Sequence, residues 1–275
     1  MSELKSPTPR TVAEHLAALW QRRELIVEFT RRDLKVRYRG TVLGVLWTFL
    51  NPLATMLILS VVFSYALRGG VEKYPAFFLC GQIPWLFFAS SLAAATRSLT
   101  EHAGLIKRSY FPREVFPIAC ALGGFVHLLI SMPLLFGFLL AFGVTPSATW
   151  LLLPVVLLVL ALLVTGLALL LSACSVALRD LEQLVPIGLN LWFFATPIFY
   201  PLVTDEGKPF VPEWLQPYVY LNPMAGLVVA TRDLLMRGRL PEAQAVIPSA
   251  ALAVIFVVVG YLVFLRLERR LAERV

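Results

Sequence analysis

Long apolar runs without charged residues constrain the fold of this chain more than any other feature. Six stretches contain no Asp, Glu, Lys or Arg, and they lie at 43–66, 76–96, 117–142, 150–177, 184–200 and 244–265. A membrane core about 30 Å thick needs about 20 apolar residues per helix, because every backbone polar group must be hydrogen-bonded within the segment. The sequence therefore predicts an all-α integral membrane protein built as a bundle of six transmembrane helices.

The distribution of positive charge predicts the orientation of these spans. With six spans, one face holds both termini and the loops at 97–116 and 178–183, and this face carries 18 of the 24 Lys and Arg residues. Lys and Arg accumulate on the cytosolic side of membrane proteins. We therefore expect a multi-pass protein of a bacterial inner membrane with both termini in the cytosol. The net charge of +7 is explained by topology and anionic lipids, without a nucleic-acid partner.

The first 40 residues are predicted to form a cytosolic tail followed by an amphipathic helix, and residues 41–275 to form the transmembrane domain. Thr11 and Glu14 have the spacing of a capping box, which indicates a helix start. Apolar residues then recur at helical spacing, with basic residues largely on the opposite side. This pattern favours a helix lying in the lipid headgroup layer. A soluble helix packed on a partner subunit is the alternative.

The outer region at 201–243 differs from the other loops. It contains six prolines, several aromatic residues and a short apolar patch, but no segment long enough to span a membrane. We predict two short re-entrant helices within 212–236, just before the last span. Such backbone is tolerated in a membrane only when it is buried in protein or lines a water-filled cavity. Residues 201–231 are therefore predicted to border a path across the membrane.

The sequence contains none of the common catalytic motifs. A phosphate loop, a zinc-protease helix and a nucleophile elbow are all absent, and every Asp and Glu lies outside the six runs. His127 is the ionisable residue within them, and we interpret it as an interhelical hydrogen-bonding residue rather than a proton relay. Cys80, Cys120 and Cys174 are expected to be packing residues. The chain is predicted to bind no metal or cofactor, so its energy must come from a partner.

Four segments carry a family resemblance, in order, along nearly the whole chain. RRDLKVRYRGTVLGVLWTFLNPL resembles the start of the first span of ABC type-2 permeases, in particular those that export O-antigen, capsule and teichoic-acid chains. The other three segments are GLIKRSYFPREVFP, LRDLEQLVPIGLNLWFFATPIFYP and LNPM. The resemblance implies a homodimeric permease that catalyses no covalent step, with two copies of a separate ATPase subunit that binds ATP and Mg. It also implies a lipid-linked glycan as the cargo.

The resemblance assigns a docking role to the cytosolic segment after the second span. In this family the segment fits a groove on the ATPase, and here it corresponds to Leu105, Ile106, Lys107, Arg108, Tyr110, Phe111, Pro112, Arg113 and Glu114. Its residue types suit docking, since aromatic side chains act as buried anchors and Arg and Glu form charge-assisted pairs. The alternative is a loop that is basic only for topological reasons. A topological role explains the positive charge of Lys107 and Arg108, but it gives no reason for the sequence Tyr110-Phe111-Pro112.

A second site is predicted just before the first span. Family exporters carry the glycan on polyprenyl pyrophosphate, and Arg37, Tyr38 and Arg39 lie at the predicted level of the headgroups. A guanidinium can bind two phosphate oxygens at once, which suits recognition of a pyrophosphate. The alternative is that these residues anchor the helix and bind anionic lipids, as such residues do in many membrane proteins.

A third site is predicted among the aromatic residues near the proline-containing segments. Sugar rings stack on aromatic faces, so an aromatic-lined channel can pass successive sugars without binding any of them tightly. Trp85, Trp192, Phe193 and Phe194 are the predicted channel-lining residues. The alternative is that aromatic residues form belts at the two membrane interfaces.

Three other functions remain open at this point. One is a related ABC permease for lipids or drugs, and another is a structural subunit of a membrane complex. The third is a membrane glycosyl- or phosphotransferase, which needs carboxylates or a metal-binding set at the membrane face. Asp180 and Glu182 are poor candidates for it, because residues two apart on a helix point in different directions.

Overall fold

The structure, a computed structural model, describes residues 19–38, 47–66, 71, 73–106, 112–202, 210–215 and 221–274. Within these ranges the chain consists of helices and short connections, without a β-strand, which confirms the all-α prediction. The α-helices are α1 (Arg23–Tyr38), α2 (Trp47–Ala66), α3 (Tyr74–Glu101), α4 (Ala103–Ile106), α5 (Val115–Ala141), α6 (Leu153–Ala177), α7 (Leu181–Ala195), α8 (Pro223–Leu235) and α9 (Ala243–Arg274). Short 3₁₀ segments occur at Ala148–Leu152 and Glu213–Leu215. The predicted capping box at Thr11 and Glu14 lies outside the described residues.

Four helical segments are long and apolar enough to cross a membrane. They are α3, α5, the continuous stretch Ala148–Ala177 that includes α6, and the Ala243–Leu267 part of α9. In α2 the apolar stretch is shorter, at Phe49–Phe63. The 15 residues of α7 extend over about 22 Å, which is less than the thickness of a membrane core. The length and composition of the four long segments agree with a membrane protein.

Helix α3 lies at the centre of the bundle. It packs against α5, α6, α7 and α8, and most of its side chains are buried. Large apolar side chains fill the space around it, among them Phe78, Phe87, Phe88 and Leu92. The adjoining helices are placed by their contacts with this core, so the structure is organised around α3.

The most extensive contact between two helices joins α6 and α9. Glycines allow their backbones to meet. A Cβ atom on Gly166 would lie 2.4 Å from the carbonyl carbon of Phe256, and one on Gly260 would lie 2.2 Å from the carbonyl oxygen of Gly166. Small residues at a helix crossing permit such close approach in membrane proteins. The contact fixes α9 against α6 even though α7 and α8 lie between them in the sequence.

Helix α7 ends earlier than the sequence predicted. The run at 184–200 was expected to be helical throughout, but the helix stops at Ala195, and Thr196 has extended backbone angles. The cause is local, because Pro197 disfavours helical geometry in the preceding residue. The expectation of a helix through residues 196–200 is therefore wrong, and these residues form turns.

Helix α8 is the second of the two short helices predicted in the outer region. Asn222 caps its start by accepting a hydrogen bond from Met224 N, and Pro223 occupies the first helical position, where no backbone donor is needed. At its other end, the carbonyls of Leu234 and Leu235 accept hydrogen bonds from Thr149 and Trp150 in the connection between α5 and α6. Of the predicted first short helix, the structure describes only the 3₁₀ turn Glu213–Leu215.

Candidate functional site

The predicted ATPase-docking segment connects α3 to α5 and contains α4. Leu105 is exposed and Ile106 is buried, while Pro112 and Arg113 are half-buried. Glu114 is fully buried at the start of α5. The segment therefore presents Leu105 outward and is held to the bundle by its buried residues. The predicted docking residues Lys107, Arg108, Tyr110 and Phe111 lie outside the described residues.

An aromatic cluster connects this segment to α1. The ring of His102 stacks on Phe116 with centroids 4.6 Å apart, and Phe29 of α1 lies 4.9 Å from Phe116. Arg32 of α1 contacts Nε2 of His102, while Nδ1 of His102 lies 2.8 Å from Ser98 O. With Nδ1–H donating to that carbonyl, Nε2 accepts from the guanidinium. Helix α1 is thus bound to the bundle through His102 and Phe116, which flank the predicted docking segment.

The predicted pyrophosphate site begins at the end of α1. The backbone of Arg37 and Tyr38 forms its last turn, and Arg39 lies outside the described residues. Basic side chains at Arg31 and Lys35 are exposed on the same helix. The inner face of α1 instead packs on α5, where Thr30 is buried against Ala119. One face of α1 is therefore occupied by protein, and the other presents positive charge.

The predicted channel-lining residues lie together but differ in exposure. Trp85 is only 5% exposed and packs inside the chain against Phe88 and Phe193. Trp192 also has a structural contact, since its Nε1 donates to Asn222 Oδ1 at 2.9 Å. Phe194 is 64% exposed. Of the four, Phe194 is the most open to a second subunit or to a channel.

Arg232 of α8 is a buried cation that the sequence analysis did not identify. Its side chain is 3% exposed and donates hydrogen bonds to the main-chain carbonyls of Phe77, Pro197 and Ile198. The guanidinium carbon also lies 3.5 Å from the centroid of the Phe77 ring. Arg232 thereby binds the non-helical residues after α7 to the start of α3. Its position beside Asp233 in the largely apolar segment MAGLVVATRDLLM was the sequence signal that could have indicated burial.

Asp233 is the second buried charge in this region, with a side chain 1% exposed. Its Oδ1 accepts hydrogen bonds from Arg237 Nη1 at 2.9 Å and from Arg239 Nε at 3.0 Å. The bond to Asp233 is the main cause that raises the pKa of the Arg239 guanidinium. Arg232 and Asp233 lie outside the six apolar runs, in which His127 is the ionisable residue. His127 lines a crevice between α2, α3 and α5.

Asn222 fastens the C-terminal end of α7 to the start of α8. Its Nδ2 lies 3.2 Å from Ala195 O and 3.0 Å from Thr196 Oγ1, and its Oδ1 accepts from Met224 N and Trp192 Nε1. Every oxygen and nitrogen of the amide therefore has a partner on α7 or α8. The sequence LNPM, singled out for its resemblance to the family, contains this residue.

Among the residues that the structure describes, no group of three or more His, Cys, Asp or Glu side chains can hold a metal ion. Asp180 and Glu182, weighed above as an acidic pair, lie at the start of α7, where Glu182 accepts a hydrogen bond from Thr100. Glu182 therefore contacts a neighbouring helix.

Comparison with known proteins places the chain in a family and identifies several relatives. Residues 24–236 match the ABC-2 type transporter family. The chain is 32% identical to the O-antigen export system permease protein RfbA of Myxococcus xanthus, over 94% of this chain and 97% of that protein. It is 33% identical to a protein of the same description from Klebsiella pneumoniae, over 91% of this chain and 94% of that protein.

A more distant relative is the polysialic acid transport protein KpsM of Escherichia coli. It is 24% identical, over 77% of this chain and 81% of that protein. The family match covers most of the sequence and includes every described helix from α1 to α8. This chain belongs to the ABC-2 type transporter family.

Proposed function

We propose that this chain is the channel-forming permease subunit of an ATP-driven polysaccharide exporter. The cargo moves from the cytosol across the bacterial inner membrane while attached to polyprenyl pyrophosphate. The observation that carries the proposal is the identity above 30%, over more than nine tenths of each chain, to two permeases described as O-antigen exporters. The similarity to a polysialic acid transport protein supports polysaccharide as the broader cargo class.

The exporter is proposed to contain two copies of this chain and two copies of a separate ATPase subunit. The sequence has no phosphate loop, so ATP and Mg bind on the partner. Leu105 and Arg113 belong to the proposed ATPase contact, together with the docking residues outside the described ranges. Arg113 is half-buried, and it adjoins the buried Glu114 at the start of α5. This position supports an ATPase contact whose movement is transmitted to α5.

Six spans are proposed, with α2 and α7 crossing the membrane beside the four longer segments. The exposed side chains of α7 favour a position for this helix next to an aqueous path. Gln183, Asn190 and Phe194 are exposed, and their spacing places them along one side of the helix. Amide side chains are costly against lipid hydrocarbon. A second copy of the chain or a hydrated glycan channel would give them hydrogen-bonding partners.

The outer region is proposed to act as a re-entrant element at the exit of the channel. Support comes from α8, which packs on α3, α6 and α9 and whose start adjoins the end of α7. Its buried Arg232 and Asp233 make it a fixed part of the bundle. Phe194 and the turn after α7 then border the path that a glycan takes toward the outer face.

Gentle-detergent purification from the native host, followed by mass spectrometry of the bound components, tests this function. We expect a stoichiometric subunit that contains a phosphate loop, together with polyprenyl-linked sugar. Recovery of the ATPase with a lipid or drug in place of the glycan would support the alternative cargo. Absence of any nucleotide-binding subunit, with no nucleotide-dependent transport after candidate ATPases are added back, would contradict the proposal.

A further inference from the structure

Helix α7 is attached to the bundle differently at its two ends. At the outer end, Asn222 and Arg232 together bind the side chain of Trp192 and the carbonyls of Ala195, Pro197 and Ile198. Between the ends the helix is lightly packed within the chain, and Leu189 is its one buried side chain. The outer end is therefore a fixed point, and the rest of α7 has few contacts within the chain that resist movement.

At the cytosolic end, one side-chain hydrogen bond between described residues joins α7 to α3. Thr100 Oγ1 donates to Glu182 Oε1 at a distance of 2.8 Å. Thr100 is the penultimate residue of α3, and the docking segment begins immediately after this helix. Glu182 lies in the first turn of α7. The bond therefore connects the end of α3, just before the docking segment, directly to the start of α7.

The donor in this bond has a second acceptor within reach. Thr100 Oγ1 also lies 2.8 Å from the carbonyl oxygen of Arg97, one turn earlier in α3. A hydroxyl carries one hydrogen and can donate it to one of these acceptors at a time. When the bond to Glu182 breaks, the hydroxyl still has a partner, and the half-buried Glu182 carboxylate can be hydrated. The link can thus open without leaving a buried donor unpaired.

We propose that Thr100 and Glu182 are positioning residues that form a detachable link between the last turn of α3, which leads into the docking segment, and the start of α7. Movement of the segment by the ATPase opens or closes the link, and α7 turns about its outer end, where Asn222 and Arg232 hold it. This inference rests on the proposed function and adds the residues through which coupling reaches the channel helix. Neither residue contacts nucleotide or glycan in this mechanism.

Isosteric substitution of Thr100 tests the link. Thr100→Val removes the donor with little change in shape, whereas Thr100→Ser keeps the hydroxyl and serves as the matched control. The complex with its ATPase is reconstituted in liposomes with lipid-linked glycan, and ATP hydrolysis and glycan export are measured separately. We expect Thr100→Val to lower the glycan exported per ATP about fivefold to tenfold, the factor that one net hydrogen bond represents. Thr100→Ser should retain wild-type coupling.

Substitutions of Glu182 test the same bond from the other side. Glu182→Gln keeps an acceptor oxygen and should couple normally, while Glu182→Leu should behave as Thr100→Val does. If Thr100→Val and Glu182→Leu act through the same bond, the variant that combines them loses no more coupling than either single variant. Unchanged export per ATP in Thr100→Val would overturn the link alone. Absence of nucleotide-dependent export by the wild-type complex would overturn the proposed function and the link with it.

A crosslink provides a measurement that does not depend on the stability of Thr100→Val. Thr100→Cys and Glu182→Cys are combined in a chain whose three native cysteines are replaced by alanine, and a short cleavable thiol crosslinker joins them. We expect export to stop while ATP hydrolysis continues, and cleavage of the crosslinker to restore export. Full export by the crosslinked complex would show that α7 does not need to detach from α3, which would overturn the proposal.

Discussion

Arg232 is a buried cation whose hydrogen bonds go mainly to main-chain carbonyls. Those of Pro197 and Ile198 belong to the turn after α7, where the helix has ended and the backbone has lost its regular partners. A planar guanidinium presents several donors in one fork and can satisfy adjacent carbonyls together. Arg232 therefore stabilises a backbone conformation that an apolar environment would otherwise disfavour.

Replacement of Arg232 should destabilise the protein even when positive charge is kept. In Arg232→Lys a single ammonium cannot reach all three carbonyls, and each carbonyl left unpaired costs about 1–3 kcal/mol. We expect a clearly lower melting temperature in detergent, measured by fluorescence-detected size exclusion after heating. Arg237→Ala is the control, because Asp233 Oδ1 keeps its bond to Arg239 and the lost contact is half-exposed. Equal melting temperatures for the two variants would contradict this role for Arg232.

Reversal of charge at Arg113 should separate ATP hydrolysis from export. Arg113 lies in the proposed docking segment, and Arg113→Glu places a like charge opposite any acidic partner on the ATPase. We expect glycan export per ATP to fall about tenfold or more, equivalent to about 1.4 kcal/mol. Arg266→Glu is the matched control, since it makes the same charge change at an exposed position on α9. Normal coupling in Arg113→Glu would show that Arg113 is not part of the ATPase contact.

Neutralisation of Arg37 and Arg39 tests the proposed pyrophosphate site. The double variant Arg37→Gln, Arg39→Gln should bind polyprenyl-pyrophosphate glycan about tenfold less tightly, because charge-assisted bonds to phosphate are lost. Binding is measured with purified lipid-linked glycan in nanodiscs. The control is Arg31→Gln, which removes an exposed arginine from the same helix. If the control weakens binding equally, the effect is a general attraction to anionic lipid.

At the scale of the helices, the pair formed by α6 and α9 depends closely on residue size. The carbonyl oxygen of Gly166 occupies the space where a side chain on Gly260 would begin. Dispersion contacts between closely packed backbones are a main source of helix association in lipid, where apolar burial contributes little. Any side chain at this crossing therefore has to separate the helices along the contact.

Alanine substitutions at two glycines test this packing. Gly166→Ala introduces a methyl group that would lie 2.4 Å from backbone atoms of α9, so we expect a loss of about 1–3 kcal/mol of stability. Gly137→Ala in α5 meets no atom within 4 Å and should be neutral, or stabilising by up to about 1 kcal/mol through higher helix propensity. Thermal unfolding in detergent measures both. A stable Gly166→Ala variant would show that the helices separate at little cost.

The helices were largely predictable because a membrane permits few other structures. Charge-free runs indicate α3, α5, α6 and α9 directly, and the resemblance based on four short segments is confirmed by the family match. The end of α7 could also have been predicted from the sequence, since Pro197 follows Thr196. The contacts of Arg232 could not have been predicted, because its partner Phe77 lies 155 residues away in the sequence. Thr100 and Glu182, separated by 82 residues, are likewise brought together only by the fold.

For the molecule as a whole, the charge bias predicts an even number of spans and a fixed orientation. Single cysteines are placed at Arg22, Lys73, Glu242 and Arg266 in a chain without its native cysteines, and intact cells are treated with a membrane-impermeant maleimide. We expect Lys73→Cys and Glu242→Cys to be labelled from outside and the other two only after lysis. Labelling of Arg266→Cys from outside would contradict a cytosolic C-terminal end of α9.

The pairing of α9 with α6 also has a consequence for how the protein is made. Of the described helices, α9 is the last to leave the ribosome, yet α6 and α8 both pack against it. A nascent chain halted before Ala243 would leave the glycine-lined side of α6 and the Gly226 side of α8 without their partner. The earlier helices must therefore remain in the membrane, incompletely packed, until α9 has been synthesised. Stalled or truncated chains would expose these unpaired surfaces to the proteases that remove incomplete membrane proteins.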